Sequence, residues 1–175
     1  MDSEQSDEDL VTGVARGDAR ALELLCRRWE RPLYSFLSRQ TGGRDVDDLF
    51  QDTWLRVVRS AHRFDPRRRF STWLFQIALN LCRDWHRRPP AEPLDPAVVA
   101  RTLGATDPTA ADDARLDARQ LLAALPEAQR SAVILRYYHD LDEDETAEIL
   151  GCPRGTVKSR LHHAMRRMIA LARGG

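Results

Sequence analysis

The chain has 175 residues, of which 42% are hydrophobic and 31% charged, which is enough for one ordinary domain or two small ones. It contains no run of about 18 apolar residues, so no membrane-inserted helix is predicted. The acidic start MDSEQSDEDL differs from the basic start of a secretory signal. Cys26, Cys82 and Cys152 are scattered thiols without a CxxC pair, which favours a reducing, cytoplasmic environment.

The zero net charge conceals a segregated pattern. Residues 27–88 carry a net charge of +7 and residues 150–175 carry +6, whereas residues 1–19 and 126–149 carry −5 each. Separate basic blocks indicate two surfaces that bind polyanions. The acidic blocks also suggest that the free protein can shield its basic surfaces in a compact, inhibited form.

Apolar residues at helical spacing predict three helices in the first half of the chain. The first two contain Leu22, Leu25, Trp29, Leu33, Phe36 and Leu37, and then Val46, Leu49, Phe50, Thr53 and Val57. The third begins near Ser71, with an inner face of Phe70, Trp73, Leu74, Ile77, Leu81 and Trp85. No alternating strand pattern is present, so the predicted fold class is all-α.

A proline-rich stretch interrupts this pattern. Prolines at 89, 90, 93, 96 and 108 predict a flexible linker. Helices resume near Asp112, and a further helix begins at Pro126 and ends near Tyr138 or His139. The predicted organisation is an acidic segment (1–19), a helical domain (20–88), a linker (89–119) and a second small helical domain (120–175).

The second domain carries a helix-turn-helix pattern. Asp142 and Glu145 form a capping-box signature, Gly151 suits a helix stop, and Pro153 suits the first turn of the next helix. That helix has an apolar face of Val157, Leu161, Ala164, Met168 and Leu171. Its other faces and borders carry donors suited to a DNA major groove: Arg154, Thr156, Lys158, Ser159, Arg160, His163, Arg166 and Arg167. A solvated basic helix is the alternative.

The third helix of the first domain has a different polar composition. Its polar stripe is Thr72, Gln76, Asn80, Arg83 and Arg87, preceded by Arg67, Arg68 and Arg69 between the aromatic residues Phe64, Phe70 and Trp73. Arginines interleaved with aromatic rings are typical of single-stranded nucleic-acid binding. The alternative is that Phe70 and Trp73 belong to the core and the arginines are solvated.

These segments carry a family resemblance. DVDDLFQDTWLRVVRSAHRFDPRRRFSTWLFQIALNLCRDWHRR resembles region 2 of bacterial RNA polymerase sigma factors, and LPEAQRSAVILRYYHDLDEDETAEILGCPRGTVKSRLHHAMRRM resembles region 4. Their order, joined by a short linker without a third domain, is similar to the extracytoplasmic-function (ECF) group. The resemblance covers most of residues 20–88 and 120–172.

The resemblance implies a role for each segment. Region 2 would dock on the clamp coiled coil of the largest subunit of core RNA polymerase, and region 4 would contact the polymerase flap. The docking residues would be Asp48, Leu49, Gln51, Asp52, Trp54 and Arg56, although Trp54 could equally be core. Asn80, Arg83, Arg87 and Arg88 would contact the minus-10 promoter element, whose extruded base would enter the loop before Phe70. The helix-turn-helix would read the minus-35 element, and an anti-sigma factor would be a further partner.

Other function classes fit less well. A stand-alone helix-turn-helix regulator would explain residues 126–172 but not the first basic block. No Gly-Lys pair of a Walker A motif and no GxGxxG motif occurs, and the acidic run from Asp140 lacks the glycine and glutamate of a calcium loop. We therefore expect no catalytic residues, no metal site, no cofactor and no small-molecule substrate.

Overall fold

The computed structural model describes residues 5–88 and 118–173, and every described element is helical. The helices of the first half are α1 (Asp7–Ala15), α2 (Ala19–Thr41), α3 (Val46–Ser60), a 3-10 turn (Ala61–Arg63) and α4 (Phe70–Arg87). In the second half, residues 118–123 are helical and precede α5 (Glu127–Val133), a π-helical turn (Ile134–Tyr138), α6 (Glu143–Leu150) and α7 (Arg154–Arg173). The predicted all-α fold class is confirmed.

The acidic N-terminal segment contains a helix that the sequence pattern did not predict. Ser6 caps α1 by accepting a hydrogen bond from the Asp9 N–H. Leu10, Val11 and Val14 are buried, and α1 packs against α2. Asp7, Glu8 and Asp9 form the first turn of α1, and the buried residues of this helix belong to the core.

Local signals explain where the core helices of the first half begin and end. The Asp18 side chain caps α2 by accepting hydrogen bonds from the backbone N–H groups of Arg20 (2.9 Å) and Ala21 (3.2 Å). Gly42 ends α2 with φ 67°, a conformation that glycine adopts without a steric penalty. Phe36, Phe70 and Phe75 are fully buried where α2 and α4 pack together.

The predicted helix-turn-helix signals are confirmed in the second half. Asp142 and Glu145 form a complete capping box at the start of α6, and Gly151 ends that helix with φ 63°. Val157, Leu161 and Ala164 of α7 are buried, and Met168 is partly buried. Leu171 was predicted on the same face but is exposed, since the last turn of α7 has little to pack against.

The two halves contact each other directly. Helix α6 packs on α4, and the Gln40 side chain of α2 donates a buried 3.1 Å hydrogen bond to Ser131 Oγ of α5. The His139 ring lies against Phe36 and Phe75, with ring centroids 5.8 and 4.7 Å away. The predicted linker lies outside the described residues except for positions 118 and 119, which are helical.

Candidate nucleic-acid interface

Residues 65–69, here called the arginine loop, lie between the 3-10 turn and α4. An aromatic cluster supports the loop from below: Phe64 and Phe70 are buried, and the Phe64 and Trp73 ring centroids are 4.9 Å apart. Phe70, for which the sequence left base stacking and core packing open, is 0% exposed and cannot stack on DNA in this conformation. Its position as the first residue of α4 directs its ring into the core.

Each of the three guanidinium groups of the loop pairs with an acid. Arg67 binds Asp65 at 2.8 Å, and hydrogen bonds from Arg67 lower the pKa of the Asp65 carboxyl to about 2. The Arg68 Nε donates to Glu148 at 2.8 Å, and Arg69 pairs with Glu145 at 2.5 Å. Both of these glutamates belong to α6, in the other half of the chain.

The polar stripe of α4 is present but narrower than predicted. Asn80, Arg87 and Arg88 are exposed, and Gln76 and Arg83 are half-buried. Thr72 is 2% exposed because it lies seven residues before the buried Leu79 and so shares its face of the helix. Trp73 is partly buried, within the aromatic cluster.

Two arginines of this stripe contact acids. Arg83 contacts Glu127 of α5 at 3.3 Å, and Arg87 pairs with Asp84 of its own helix at 2.7 Å. One helical turn before Arg83, the exposed Asn80 offers both a donor and an acceptor to a ligand.

The second basic surface is the outer face of α7. Ser159, His163, Arg166 and Arg167 are exposed, and Thr156 is half-buried beside them. Within residues 5–88 and 118–173, neither Arg166 nor Arg167 forms an ion pair. These two guanidinium groups therefore remain available to phosphate or to base edges.

The first turn of α7 is neutralised by α6, which the sequence did not reveal. Glu143 contacts Arg154 at 2.6 Å and Lys158 at 3.6 Å, and Asp144 lies 3.5 Å from Arg154. The Arg154 hydrogen bond lowers the pKa of the Glu143 carboxyl. Arg160 is half-buried, with a guanidinium nitrogen 3.5 Å from the Cys152 sulfur, so it lies at the edge of the reading face.

Each half of the chain matches a family model. The family model "Sigma-70 region 2" matches residues 25–89, and "Sigma-70, region 4" matches residues 115–168. The ECF RNA polymerase sigma-E factor of Escherichia coli (strain K12) is 32% identical over 178 residues, covering 94% of this chain and 93% of that protein. The sigma-E factor of Haemophilus influenzae is 31% identical and covers 94% of each.

This chain belongs to the ECF group of RNA polymerase sigma factors. The structure of CnrH in complex with the cytosolic domain of CnrY superimposes with a TM-score of 0.74 at 28% identity, covering 97% of this chain and 99% of CnrH. The sigma factor RpoE of Bartonella quintana, solved with the anti-sigma factor NepR, shares the fold at 23% identity with a TM-score of 0.68. Function as a sigma factor, rather than as a stand-alone regulator, is thereby confirmed.

The predicted polymerase-docking residues of this sigma factor divide between surface and core. Asp48, Gln51, Asp52 and Arg56 are exposed along α3. Leu49 and Trp54 are 4% and 7% exposed, so both belong to the core in this structure and support the surface from beneath. Their burial follows from the spacing of the apolar stripe, which continues to Val57.

Sequence reasoning missed two residues on the exposed face of α3. Leu55 and Val58 are 52% and 42% exposed. They continue the series Asp48 and Gln51 along the helix, with successive steps of three, four and three residues, so all four lie on one face. The available signal was the helical spacing of these two apolar residues, which matches that of the exposed polar residues of α3.

No helix within the described residues is long and apolar enough to cross a lipid bilayer.

Proposed function

We propose that this sigma factor binds core RNA polymerase in the cytoplasm and directs it to promoters through two separate DNA-reading surfaces. Residues 20–88 act as region 2, residues 120–175 act as region 4, and residues 89–119 connect them. The chain supplies no catalytic chemistry of its own and acts by positioning DNA. The match of both region models in the order of known sigma factors supports this assignment.

The docking surface for polymerase is the exposed face of α3. Leu55 and Val58 provide apolar area between the charges of Asp48, Asp52 and Arg56. An apolar centre with a polar rim is the usual composition of a protein–protein interface. This surface meets the clamp coiled coil of the largest subunit, while region 4 meets the flap.

The arginine loop and the polar stripe of α4 read and open the minus-10 element. The guanidinium groups hold the backbone of the separated strand, and Asn80 reaches a base edge. Stacking of an extruded base contributes about 1–3 kcal/mol, which offsets an unstacking cost of a few kcal/mol. Trp73, being partly exposed, is better suited than Phe70 to contribute that stacking surface.

Helix α7 reads the minus-35 element in the major groove. Ser159, His163, Arg166 and Arg167 form the exposed reading face, and Thr156, Arg154 and Lys158 lie near its N-terminus. Phosphate contacts fix the register of such a helix, and contacts to base edges provide specificity. Because CnrH was solved with the cytosolic domain of CnrY, and RpoE with the anti-sigma factor NepR, we also propose a protein partner of the anti-sigma class for this chain.

The assignment is tested by reconstituting the chain with core polymerase and mapping transcript 5′ ends on supercoiled DNA. We expect new, discrete start sites that are absent with core polymerase alone. Tight binding of the chain to duplex DNA without polymerase, combined with no change in start sites, would support the stand-alone regulator and overturn the assignment.

A further inference from the structure

Two cations of α7 are held by one acid of the preceding helix. Glu143 Oε2, in the first turn of α6, lies 2.6 Å from Arg154 Nε and 3.6 Å from Lys158 Nζ. Asp144 Oδ2 lies 3.5 Å from Nη1 of the same arginine. Arg154 and Lys158 are one helical turn apart and therefore project from the same side of α7, towards α6. A single carboxylate oxygen of Glu143 thus bridges both cations.

The capping of α6 does not account for this acid. Asp142 accepts a hydrogen bond from the Glu145 N–H, and the Glu145 carboxylate accepts one from the Asp142 N–H, so these two residues complete the capping box. The Glu143 side chain is 25% exposed, against 75% for Asp144, which makes it the more shielded of the two acids beside Arg154. The Arg154 hydrogen bond lowers the pKa of the Glu143 carboxyl, so the carboxylate stays ionised at neutral pH.

The bridge lies where a helix-turn-helix approaches the DNA backbone. The first helix of such a motif crosses the sugar-phosphate backbone, while the second lies in the major groove. Helix α6 is the first helix here, so the side of α7 that faces it adjoins a phosphate strand in the proposed minus-35 complex. Carboxylates and phosphates bind the same guanidinium and ammonium donors. Glu143 therefore occupies donors that the backbone would otherwise engage.

The reading face of α7 carries cations of a different kind. Arg166 and Arg167 are exposed and form no ion pair in the part of the chain that the structure describes. Phosphate contacts add affinity for DNA of any sequence, whereas contacts to base edges distinguish one sequence from another. An acid that binds only the cations beside the backbone lowers the first contribution and leaves the second intact.

We propose that Glu143 is a specificity-determining residue, which withholds Arg154 and Lys158 from phosphates and so lowers the affinity of region 4 for DNA of any sequence. This inference rests on the proposed function of α7 as the reader of the minus-35 element. Because a genome offers many competing sites, the ratio of specific to non-specific affinity decides where a DNA-binding protein is found. Glu143 raises that ratio by weakening binding that does not depend on sequence.

The direct test measures binding of the full-length chain to a fluorescein-labelled duplex of arbitrary sequence, about 20 base pairs long, by anisotropy at several salt concentrations. The test variant, Glu143→Gln, removes the charge and keeps the size of the side chain. The matched control is Glu23→Gln, because Glu23 also pairs with an arginine, Arg27, at 2.7 Å, but in α2. A second control, Asp144→Asn, neutralises the adjacent acid of the same helical turn.

We expect Glu143→Gln to bind this duplex about fivefold more tightly at low salt. The plot of log Kobs against log salt should steepen by about one to two units, because Arg154 and Lys158 each become free to bind a phosphate. Glu23→Gln should leave the slope unchanged, and Asp144→Asn should change it by less than half as much. An unchanged slope for Glu143→Gln, or an equal change in either control, would overturn the proposal.

A second set of variants shows whether the effect depends on the two cations. With Arg154→Ala and Lys158→Ala already in place, adding Glu143→Gln should change the affinity by less than about twofold. In the wild-type background, that pair of alanine substitutions should weaken duplex binding less than Arg166→Ala with Arg167→Ala does, since only the latter pair removes free cations. The fivefold gain persisting without the two cations, or equal losses from the two alanine pairs, would contradict the proposal.

The consequence for specificity is measured with holoenzyme. Glu143→Gln should increase the share of transcripts that begin outside the wild-type start sites, and an unchanged share would overturn the specificity role. If wild-type holoenzyme starts transcripts at discrete sites but Glu143→Gln alters neither duplex binding nor that share, only the role of Glu143 is wrong. If wild-type holoenzyme starts no transcripts at discrete sites, the proposed function fails, whatever the free chain binds.

Discussion

The carboxylate of Glu8, in α1, accepts a 2.8 Å hydrogen bond from the backbone N–H of Phe70, the first residue of α4. The N-cap residue of α4, Arg69, provides no side-chain cap. A carboxylate at this position satisfies an otherwise unpaired donor and interacts favourably with the helix dipole. The acidic N-terminal helix thus fixes the point at which the arginine loop enters α4.

Replacing Glu8 by Ala should therefore destabilise the protein. A lost helix cap costs about 1 kcal/mol, which for a chain of this size lowers Tm by about 2–4 °C. Glu8→Gln retains an acceptor and should lose less than half of that. Thermal unfolding followed by circular dichroism checks that Tm decreases from the wild type to Glu8→Gln and then to Glu8→Ala. A Tm for Glu8→Ala equal to that of the wild type would show that the cap is not a stabilising contact.

Acid should weaken the packing of the halves through His139. Burial, and then the charge of Arg39, lower the pKa of the His139 imidazole to about 4, although Asp140 acts in the opposite direction. The ring packs on Phe36 and Phe75. In the unfolded chain this histidine takes up a proton at the ordinary pKa near 6.5. The contribution of neutral His139 to the free energy of unfolding is therefore complete above that pH and is lost as pH falls towards 4.

The corresponding measurement is the free energy of unfolding in urea between pH 6.5 and 5. The wild type should lose up to about 1 kcal/mol per pH unit, and His139→Phe should flatten that slope. His162→Gln, which changes an exposed histidine of α7, should leave the slope unchanged. The interpretation is wrong if His139→Phe and His162→Gln have the same effect.

The outer face of α7 should determine promoter binding by region 4. Arg166→Ala removes an exposed guanidinium, so we expect weaker promoter binding by the holoenzyme and, if a phosphate contact is lost, a salt dependence reduced by about one unit of slope. Arg27→Ala is the matched control, since Arg27 is exposed and pairs only with Glu23 of its own helix among the described residues. Filter binding at several salt concentrations compares them, and equal losses would exclude a specific role for Arg166.

The exposed and buried residues of α3 should respond differently to substitution. Leu55→Asp alters a surface residue, so we expect weaker binding to core polymerase with a change in stability within about 0.5 kcal/mol. Trp54→Ala creates a cavity in the core and should cost about 3–5 kcal/mol. Native gel shift with core polymerase, together with urea unfolding, separates the two; normal polymerase binding by Leu55→Asp would remove this face from the proposed interface.

The sequence predicted features that depend on local spacing. The capping box at Asp142 and Glu145 and the helix stop at Gly151 are set by a few neighbouring residues, so they could be identified from the sequence alone. The same holds for the apolar stripe of α7 as far as Ala164.

Features that depend on contacts between distant residues were not predictable. The helical pattern placed Thr72 on the polar stripe of α4 and left Trp54 open between core and surface, but both are buried, because burial depends on the helices packed around each position. Likewise, Glu145 and Glu148 are separated from Arg69 and Arg68 by 76 and 80 positions. Charge blocks indicated shielding in general terms, whereas only the fold shows which carboxylate meets which guanidinium.

The central claim, that the two surfaces act together on one promoter, is tested most directly by sequencing the 5′ ends of transcripts made by reconstituted holoenzyme on a genomic DNA library. The account predicts start sites preceded by two conserved elements at a constant spacing, with Arg166→Ala weakening dependence on the upstream element and Asn80→Ala weakening dependence on the downstream one. Start sites identical to those of core polymerase alone, or a single conserved element affected by both substitutions, would contradict it.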